Sequence, residues 1–154
     1  MINKDIDLNE LKELVSQKDR GYVKIYYKYF HNIIKCTSIT PSIFYMHDCN
    51  TNSWIKKDIA QIQNHFMDNM KILMKHLFNH YRIDFENKVM CQMGPEKEFE
   101  IKNFIKKIES IQNIPEFNKV SKCKILMKSI CAEFYDDDFA KEVTEDNPKY
   151  IINV

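Results

Sequence analysis

The hydrophobic period of the chain changes within residues 42–81, and this change constrains the fold more than any other feature. Residues 42–47 are mostly aromatic and aliphatic and predict a strand, 48–52 predict a polar turn, and 53–57 predict a second strand. Asp58 then stands where a helix N-cap is expected. The apolar residues after it recur every three or four positions, as Ile59, Ile62, Phe66, Met70, Leu73, Leu77 and Tyr81. The pattern predicts a β-hairpin that leads directly into a long helix.

The rest of the chain predicts further helices and few strands. Gly21 is expected to break or redirect the chain, and residues 82–94 are weakly periodic and predict a connection. The other predicted elements are helices at 3–18, 22–31, 96–112, 115–135 and 136–143, and a strand at 33–39. We predict a mostly α (α+β) fold, with a small antiparallel hairpin or sheet in the first third. The predicted organisation is an N-terminal helix over 1–20 and one helical domain over 21–154.

The composition excludes several classes of protein. The 154 residues include only two glycines, Gly21 and Gly94, whereas a phosphate-binding loop or a dinucleotide fingerprint needs clustered glycines. The formal net charge is +1, so no global field favours nucleic acid or a membrane. No apolar run approaches the ~20 residues of a membrane helix, and residues 1–9 are too polar for a secretory signal. Since the five cysteines lack paired spacing, we expect reduced thiols in an intracellular protein without membrane association.

Two groups of residues raise the alternative of a small metal-dependent enzyme. His76 and His80 stand four residues apart on one face of the predicted long helix, where Cys91 would be a third ligand. A zinc-protease motif needs a glutamate after the first histidine, but Leu77 stands there. The acidic triplet at 136–138 lacks the spacing of a calcium loop. A solvated helix face and an aspartate-capped helix start are the favoured interpretations, and no catalytic or metal-binding residue is predicted.

Lysines and the single tryptophan are the candidate nucleic-acid-binding residues. On the hairpin they are Trp54, Lys56 and Lys57, and near the fifth predicted helix they are Lys119, Lys122, Lys124 and Lys128. Lysines contact phosphates, and tryptophan stacks on bases. The four helix lysines cover a wide arc, however, so an ordinary solvated face is the alternative. For Trp54 the alternative is an anchor that holds the sheet to a helix.

Several segments follow one another in an order that is typical of one known family. They are the helix GYVKIYYKYF at 21–30, the strand IKCTS at 34–38, the aromatic hairpin from Phe44-Tyr45 to Trp54-Ile55-Lys56-Lys57-Asp58, the phenylalanine helix at 139–143 and the turn EDNPKY at 145–150. This order resembles the helical segment just upstream of the superfamily 3 helicase ATPase in poxvirus-type helicase–primases. The resemblance covers residues 21–154, and the Trp54 hairpin and the Asn147-Pro148 ending contribute most to it.

The resemblance implies a non-catalytic module of a DNA replication protein of large DNA viruses. Such a module would couple primase and helicase, or aid subunit assembly and DNA guidance, in the host cytoplasm or at the viral replication site. Its expected partners are helicase and primase domains or subunits, single-stranded DNA and, through the parent protein, further copies. ATP and magnesium would belong to a helicase domain, because this chain has no Walker motif and no primase carboxylates. The alternative is a free-standing helical protein–protein interaction module.

Overall fold

Helices make up most of the chain, and a small antiparallel sheet lies in its first third, as the sequence predicts. The computed structural model describes residues 6, 8–90, 94–112, 120–143 and 150–151. The helices are α1 (Leu8–Ser16), α2 (Asp19–Phe30), α3 (Ile59–Met90), α4 (Pro95–Gln112), α5 (Val120–Phe134) and α6 (Asp137–Glu142). The strands are β1 (Ile34–Ser38), β2 (Ile43–Asp48), β3 (Ser53–Lys57) and β4 (Tyr150–Ile151). The predicted features at 113–119 and 144–149, including Asn147-Pro148, lie outside the described residues.

The predicted hairpin is formed by β2 and β3, which extend a sheet of order β1-β2-β3-β4. The first three strands are antiparallel, and β4 pairs with β3 in parallel. The β2–β3 turn is built by Asp48, whose carboxylate accepts from the Asn50 N–H at 3.0 Å and from the Thr51 hydroxyl at 3.2 Å. Asn52 completes the turn with a φ of 52°, a conformation that asparagine tolerates better than most residues.

The sheet separates two apolar clusters of unequal size. Cys36 of β1 pairs with Phe44 of β2, and both side chains are fully buried in the main core. The neighbouring pair, Lys35 and Tyr45, points to the opposite face because side chains alternate along a strand. We call the first face the inner face and the second the outer face. A smaller cluster around Tyr45 and Phe139 covers the outer face.

Tyr26 lies at the centre of the main core. Its ring is fully buried, with centroids 4.9 Å from Phe66 of α3 and 5.3 Å from Phe134 of α5. Its hydroxyl is within 2.6 Å of Nδ1 of His65, so the one polar atom of the ring has a partner. Three helices therefore meet on one tyrosine behind the inner face of the sheet.

Gly21 lies inside α2 and does not break the chain, contrary to the sequence-based expectation. A Cβ at this position would overlap the carbonyl oxygen of Leu14 in α1. Glycine therefore allows close approach of two helix backbones here. The contact is supported at its edge by the ion pair of Lys28 with Glu10 at 3.1 Å. Buried α1 residues such as Leu11 and Val15 belong to the same core as α2.

Helix α3 begins at the predicted place and continues farther than predicted. The Asp58 carboxylate accepts from the Gln61 N–H at 2.8 Å, and the Gln61 side-chain oxygen accepts from the Asp58 N–H at 2.9 Å, which is a reciprocal capping box. The helix then runs to Met90, so the predicted connection at 82–94 is wrong for its helical part. Packing between α3 and α4 explains the extension, because tertiary contact outweighs weak periodicity. Within the described residues, no helix has the length and apolarity to cross a membrane.

Candidate functional site

Trp54 lies on the outer face of the sheet, where it contacts α6. Its ring centroid is 4.8 Å from that of Phe139, and the ring planes meet at 67°. On the strand side, the His47 ring lies 5.1 Å away, also edge to face. Trp54 is half-buried by these contacts. The arrangement agrees with the anchoring alternative, and base stacking by Trp54 stays a prediction.

The two hairpin lysines diverge from each other because they are neighbours on one strand. Lys56 pairs with Tyr45 and therefore shares the outer face with Trp54. Lys57 pairs with Phe44 and starts on the inner face, at the edge next to the beginning of α3. Both lysines are half-buried. Of the two, only Lys56 is on the same face of the sheet as Trp54.

The predicted lysine helix is described only in part. Lys119 lies outside the described residues, and Lys122 and Lys124 lie in α5 with side chains that are not described. Lys128 is exposed and lines a pocket on the inner side of the molecule. Trp54, Lys56 and Lys57 do not line this pocket. Among the described residues, the two predicted groups therefore do not share a site.

The pocket that Lys128 lines was not found from the sequence. It has a volume of about 560 Å³ and lies between the β1–β2 loop, the first turns of α3 and the last turns of α5. Most of its lining is apolar, including Ile39, Ile59 and Met127, and its polar groups come from Ser42, Gln63, Thr40, Lys128 and Cys131. A concave, mainly apolar pocket with a few convergent polar groups is the usual form of a binding site.

Cys131 and Ser42 form the polar part of the pocket wall. The Cys131 thiol donates to the Ser42 hydroxyl at 3.4 Å, and that hydroxyl donates to the carbonyl oxygen of Ile39 at 3.0 Å. Ser42 follows the cis peptide bond between Thr40 and Pro41. The loop therefore places one hydroxyl between the thiol and the loop backbone.

Cys36 contacts Cys131 from the sheet side. The two thiols interact with each other, and the Cys36 thiol donates to the carbonyl oxygen of Ser38 at 3.1 Å. The interaction with Cys36 lowers the pKa of Cys131, against the opposing effect of burial, and the Ser42 hydroxyl lowers it further. The same thiol pair and burial raise the pKa of Cys36. Of the two thiols, Cys131 is the one that contacts a hydroxyl group and lines the pocket.

The backbone fixes the position of this thiol pair. Cys36 bridges to Tyr135, and its carbonyl oxygen accepts from the Asp136 N–H at 3.0 Å. Cys131 lies four residues before Tyr135, in the last turn of α5. Strand β1 and the end of α5 are thus joined by backbone contacts directly beside the two sulfurs.

The two histidines that suggested a metal site lie beside each other on α3. The rings of His76 and His80 are parallel within 15°, with centroids 6.4 Å apart, and Cys91 lies outside the described residues. In the part of the chain that the structure describes, no group of three histidine, cysteine or acidic residues could hold a metal ion.

Asp136 is the N-cap of α6, since its carboxylate accepts from the Phe139 N–H at 3.0 Å, as predicted for one aspartate of the triplet.

His65 has a structural partner that the sequence did not reveal. It contacts Tyr26 through the 2.6 Å hydrogen bond, and its ring lies 5.0 Å from that of Phe30. Burial lowers the pKa of His65, and the charge of Asp68 opposes this shift. Burial also raises the pKa of Tyr26. Tyr26 is part of the core, and neither Tyr26 nor His65 lines the pocket.

Comparisons with known proteins identify no relative of the chain. No protein-family model matches it, no curated protein matches it, and no solved structure matches it. The resemblance to helicase–primases stays a prediction.

Proposed function

We propose that the chain is a non-catalytic module of a viral-type DNA helicase–primase, which joins primase and helicase domains and guides single-stranded DNA. One observation supports this proposal beyond the order of the segments. The Trp54 hairpin and the helix that holds Phe139, which both contribute to the resemblance, pack on each other with ring centroids 4.8 Å apart. Segments far apart in sequence that form one packing unit are expected to occur together in a domain. In this proposal ATP and magnesium act in a separate helicase domain.

The DNA contact in this proposal is electrostatic and centred on the hairpin. Lys56 and Lys57 are the phosphate-binding candidates, and Lys128 is a further exposed lysine on α5. Trp54 holds the hairpin against α6 and so positions the lysines. Since few phosphates are contacted, binding is expected to be weak and to depend strongly on salt.

A titration of fluorescent single-stranded DNA at low and moderate salt tests this proposal. The variant carrying Lys56→Glu and Lys57→Glu should bind more weakly and lower the dependence of log K on log salt by about 1.4, the value for two single-strand phosphate contacts. The control carries Lys97→Glu and Lys102→Glu, two exposed α4 lysines, and has the same change in net charge. DNA guidance is contradicted if the wild-type chain does not bind at low salt, or if the control loses as much affinity.

The apolar pocket favours a second candidate function, a protein–protein interaction module. Ile39 and Ile59 border the pocket and are 49% and 41% exposed. An apolar side chain of a partner protein could therefore pack against them. Binding of this kind would respond little to salt. This function requires no DNA contact. If it alone is correct, neither the wild-type chain nor the two variants should bind single-stranded DNA at either salt concentration.

An apolar dye provides the matching test of the pocket. Anilinonaphthalene sulfonate should bind the wild-type chain with a rise in fluorescence, and Ala60→Trp, which fills the pocket from α3, should reduce that rise. Ile72→Trp places the same side chain at an exposed position farther along α3, outside the pocket, and should leave the rise unchanged. Equal fluorescence for both variants would exclude the pocket as an apolar binding site.

A further inference from the structure

Cys36 and Cys131, which we call the thiol pair, lie beside the pocket and differ in their access to it. Cys36 and Cys131 interact with each other, and each is at most 2% exposed. Cys131 also lines a pocket that opens to solvent, whereas Cys36 lies behind it and does not line the pocket. Small molecules therefore have a path to one sulfur, and the second sulfur lies within reach of the first.

The hydroxyl of Ser42 distinguishes the two thiols further. It lies 3.4 Å from the Cys131 sulfur, and by turning from the Ile39 carbonyl it can donate to a thiolate at that position. The exposed ammonium of Lys128 stands one turn before Cys131 and lines the same pocket. A thiolate at Cys131 is thus favoured by one hydrogen-bond donor. The lowered pKa of Cys131 agrees with this geometry.

We infer that Cys131 is a peroxide-reactive modification site and that Cys36 is its resolving thiol. The Cys131 thiolate attacks one oxygen of a hydroperoxide, the O–O bond breaks, and the leaving hydroxide or alkoxide takes a proton to become water or an alcohol. Cys131 is then a sulfenic acid. Cys36 attacks its sulfur, the S–O bond breaks, and the hydroxide leaves as water with the proton of Cys36. Two thiols are oxidised to one disulfide and one peroxide is reduced.

The bond would join β1 to α5 at the place where they already contact. The Cys36 carbonyl accepts from the Asp136 N–H at 3.0 Å, so the strand and the helix end are held close before oxidation. The bond would close a loop of about 95 residues, for which chain entropy predicts a rise in melting temperature of roughly 10 °C. Oxidation therefore stabilises the fold instead of opening it.

Peptide mapping of the full chain after treatment with hydrogen peroxide is the direct test. After alkylation and digestion, a peptide pair that links Cys36 to Cys131 and separates on reduction is expected. Cys49 is exposed and serves as the internal comparison, and Cys49→Ser should form the same link. The inference is overturned if Cys36 and Cys131 are still thiols, and so are fully alkylated, after a peroxide dose that oxidises Cys49. It is also overturned if the link requires Cys49.

Two single variants separate the attacking thiol from the resolving thiol. Cys36→Ser should stop at the sulfenic acid, which dimedone traps on Cys131. Cys131→Ser should leave Cys36 as a free thiol at the same dose. Dimedone labelling of Cys36 in the second variant, with none on Cys131 in the first, would reverse the assignment. If either variant fails to fold, the wild-type peptide map still decides whether the bond forms.

A separate experiment tests whether peroxide reaches Cys131 through the pocket. Ala60→Trp should slow formation of the Cys36–Cys131 bond several-fold, because it fills the pocket that leads to Cys131. Ile72→Trp, at an exposed position farther along α3, should leave the rate unchanged. Equal rates in both variants and the wild type would show that peroxide reaches the sulfur by another path.

Discussion

The two faces of the sheet are buried in different ways. Phe44 and Ile34 on the inner face are fully buried among residues of α2, α3 and α5. On the outer face, Tyr45 and Trp54 are covered by α6, a helix of six residues. The inner face is therefore stabilised by many elements at once, and the outer face depends on one short helix and its cap. Elements with few buried contacts are the first to open locally.

Truncating one phenylalanine behind each face gives the largest expected effects. Phe134→Ala should lower the free energy of unfolding by about 3–5 kcal/mol, because Phe134 packs against Tyr26 and Tyr27 in the main core. Phe139→Ala should cost about 2 kcal/mol, since it removes the smaller cluster on the outer face. Urea denaturation measures both values. Equal losses would mean that the two faces contribute equally to stability, contrary to the difference in their burial.

The helix crossing behind the inner face gives the next effect. Gly21→Ala should destabilise the chain by about 1–3 kcal/mol, because the added methyl group meets the Leu14 backbone, which cannot move aside without shifting α1. Gly94→Ala is the matched control, since nothing lies within 4 Å of a Cβ there. Thermal denaturation of both variants is the measurement. A neutral Gly21→Ala would show that α1 is held loosely.

Removing the cap of α6 tests the outer face alone. Asp136→Ala should cost about 1 kcal/mol, as it removes the bond to the Phe139 N–H and the 3.4 Å ion pair with Lys35. Hydrogen exchange should rise in α6 and remain unchanged in α2. Asp138→Ala, an exposed member of the same acidic triplet, is the control and should have little effect. Faster exchange in α2 as well would mean that the two clusters unfold together.

The smallest effect concerns the pH dependence of the main core. Burial lowers the pKa of His65 in the folded chain, so the unfolded chain binds the proton more readily. Stability should therefore be complete above about pH 6.5, the unfolded pKa, and should fall as the pH drops toward the folded pKa. His65→Gln should flatten this part of the pH profile, measured by urea denaturation between pH 7 and 5. His80→Gln, at an exposed position of α3, should leave the slope intact.

Local signals in the sequence predicted the local structure well. Asp58 and Asp136 cap the helices that follow them, because capping depends on residues within one turn. The hairpin around Trp54 also lies where strand composition and polar turn residues place it. These features involve interactions between residues a few positions apart, which a single sequence displays directly.

Features that depend on distant contacts were not predictable. Gly21 was expected to interrupt the chain, and only the position of Leu14 shows that it serves a helix crossing. The extension of α3 to Met90 depends on packing with α4. The pocket depends on Cys131 and Ser42, which are 89 positions apart. The sequence predicted a helix over 115–135 that contains Cys131, but not which strand would cover it.

Helix α3 is a continuous rod of 32 residues that joins the main core to the packing against α4. Its described buried residues run from Ile62 to Leu77, and the helix continues to Met90, about 20 Å farther at 1.5 Å per residue. Ile83 on this distal part is 51% exposed. A tilt of about 10° at Leu77 would displace the tip by roughly 3 Å over that length. A movement of α4 against α3 would therefore be transmitted along one helix to the packing around Tyr26 and His65.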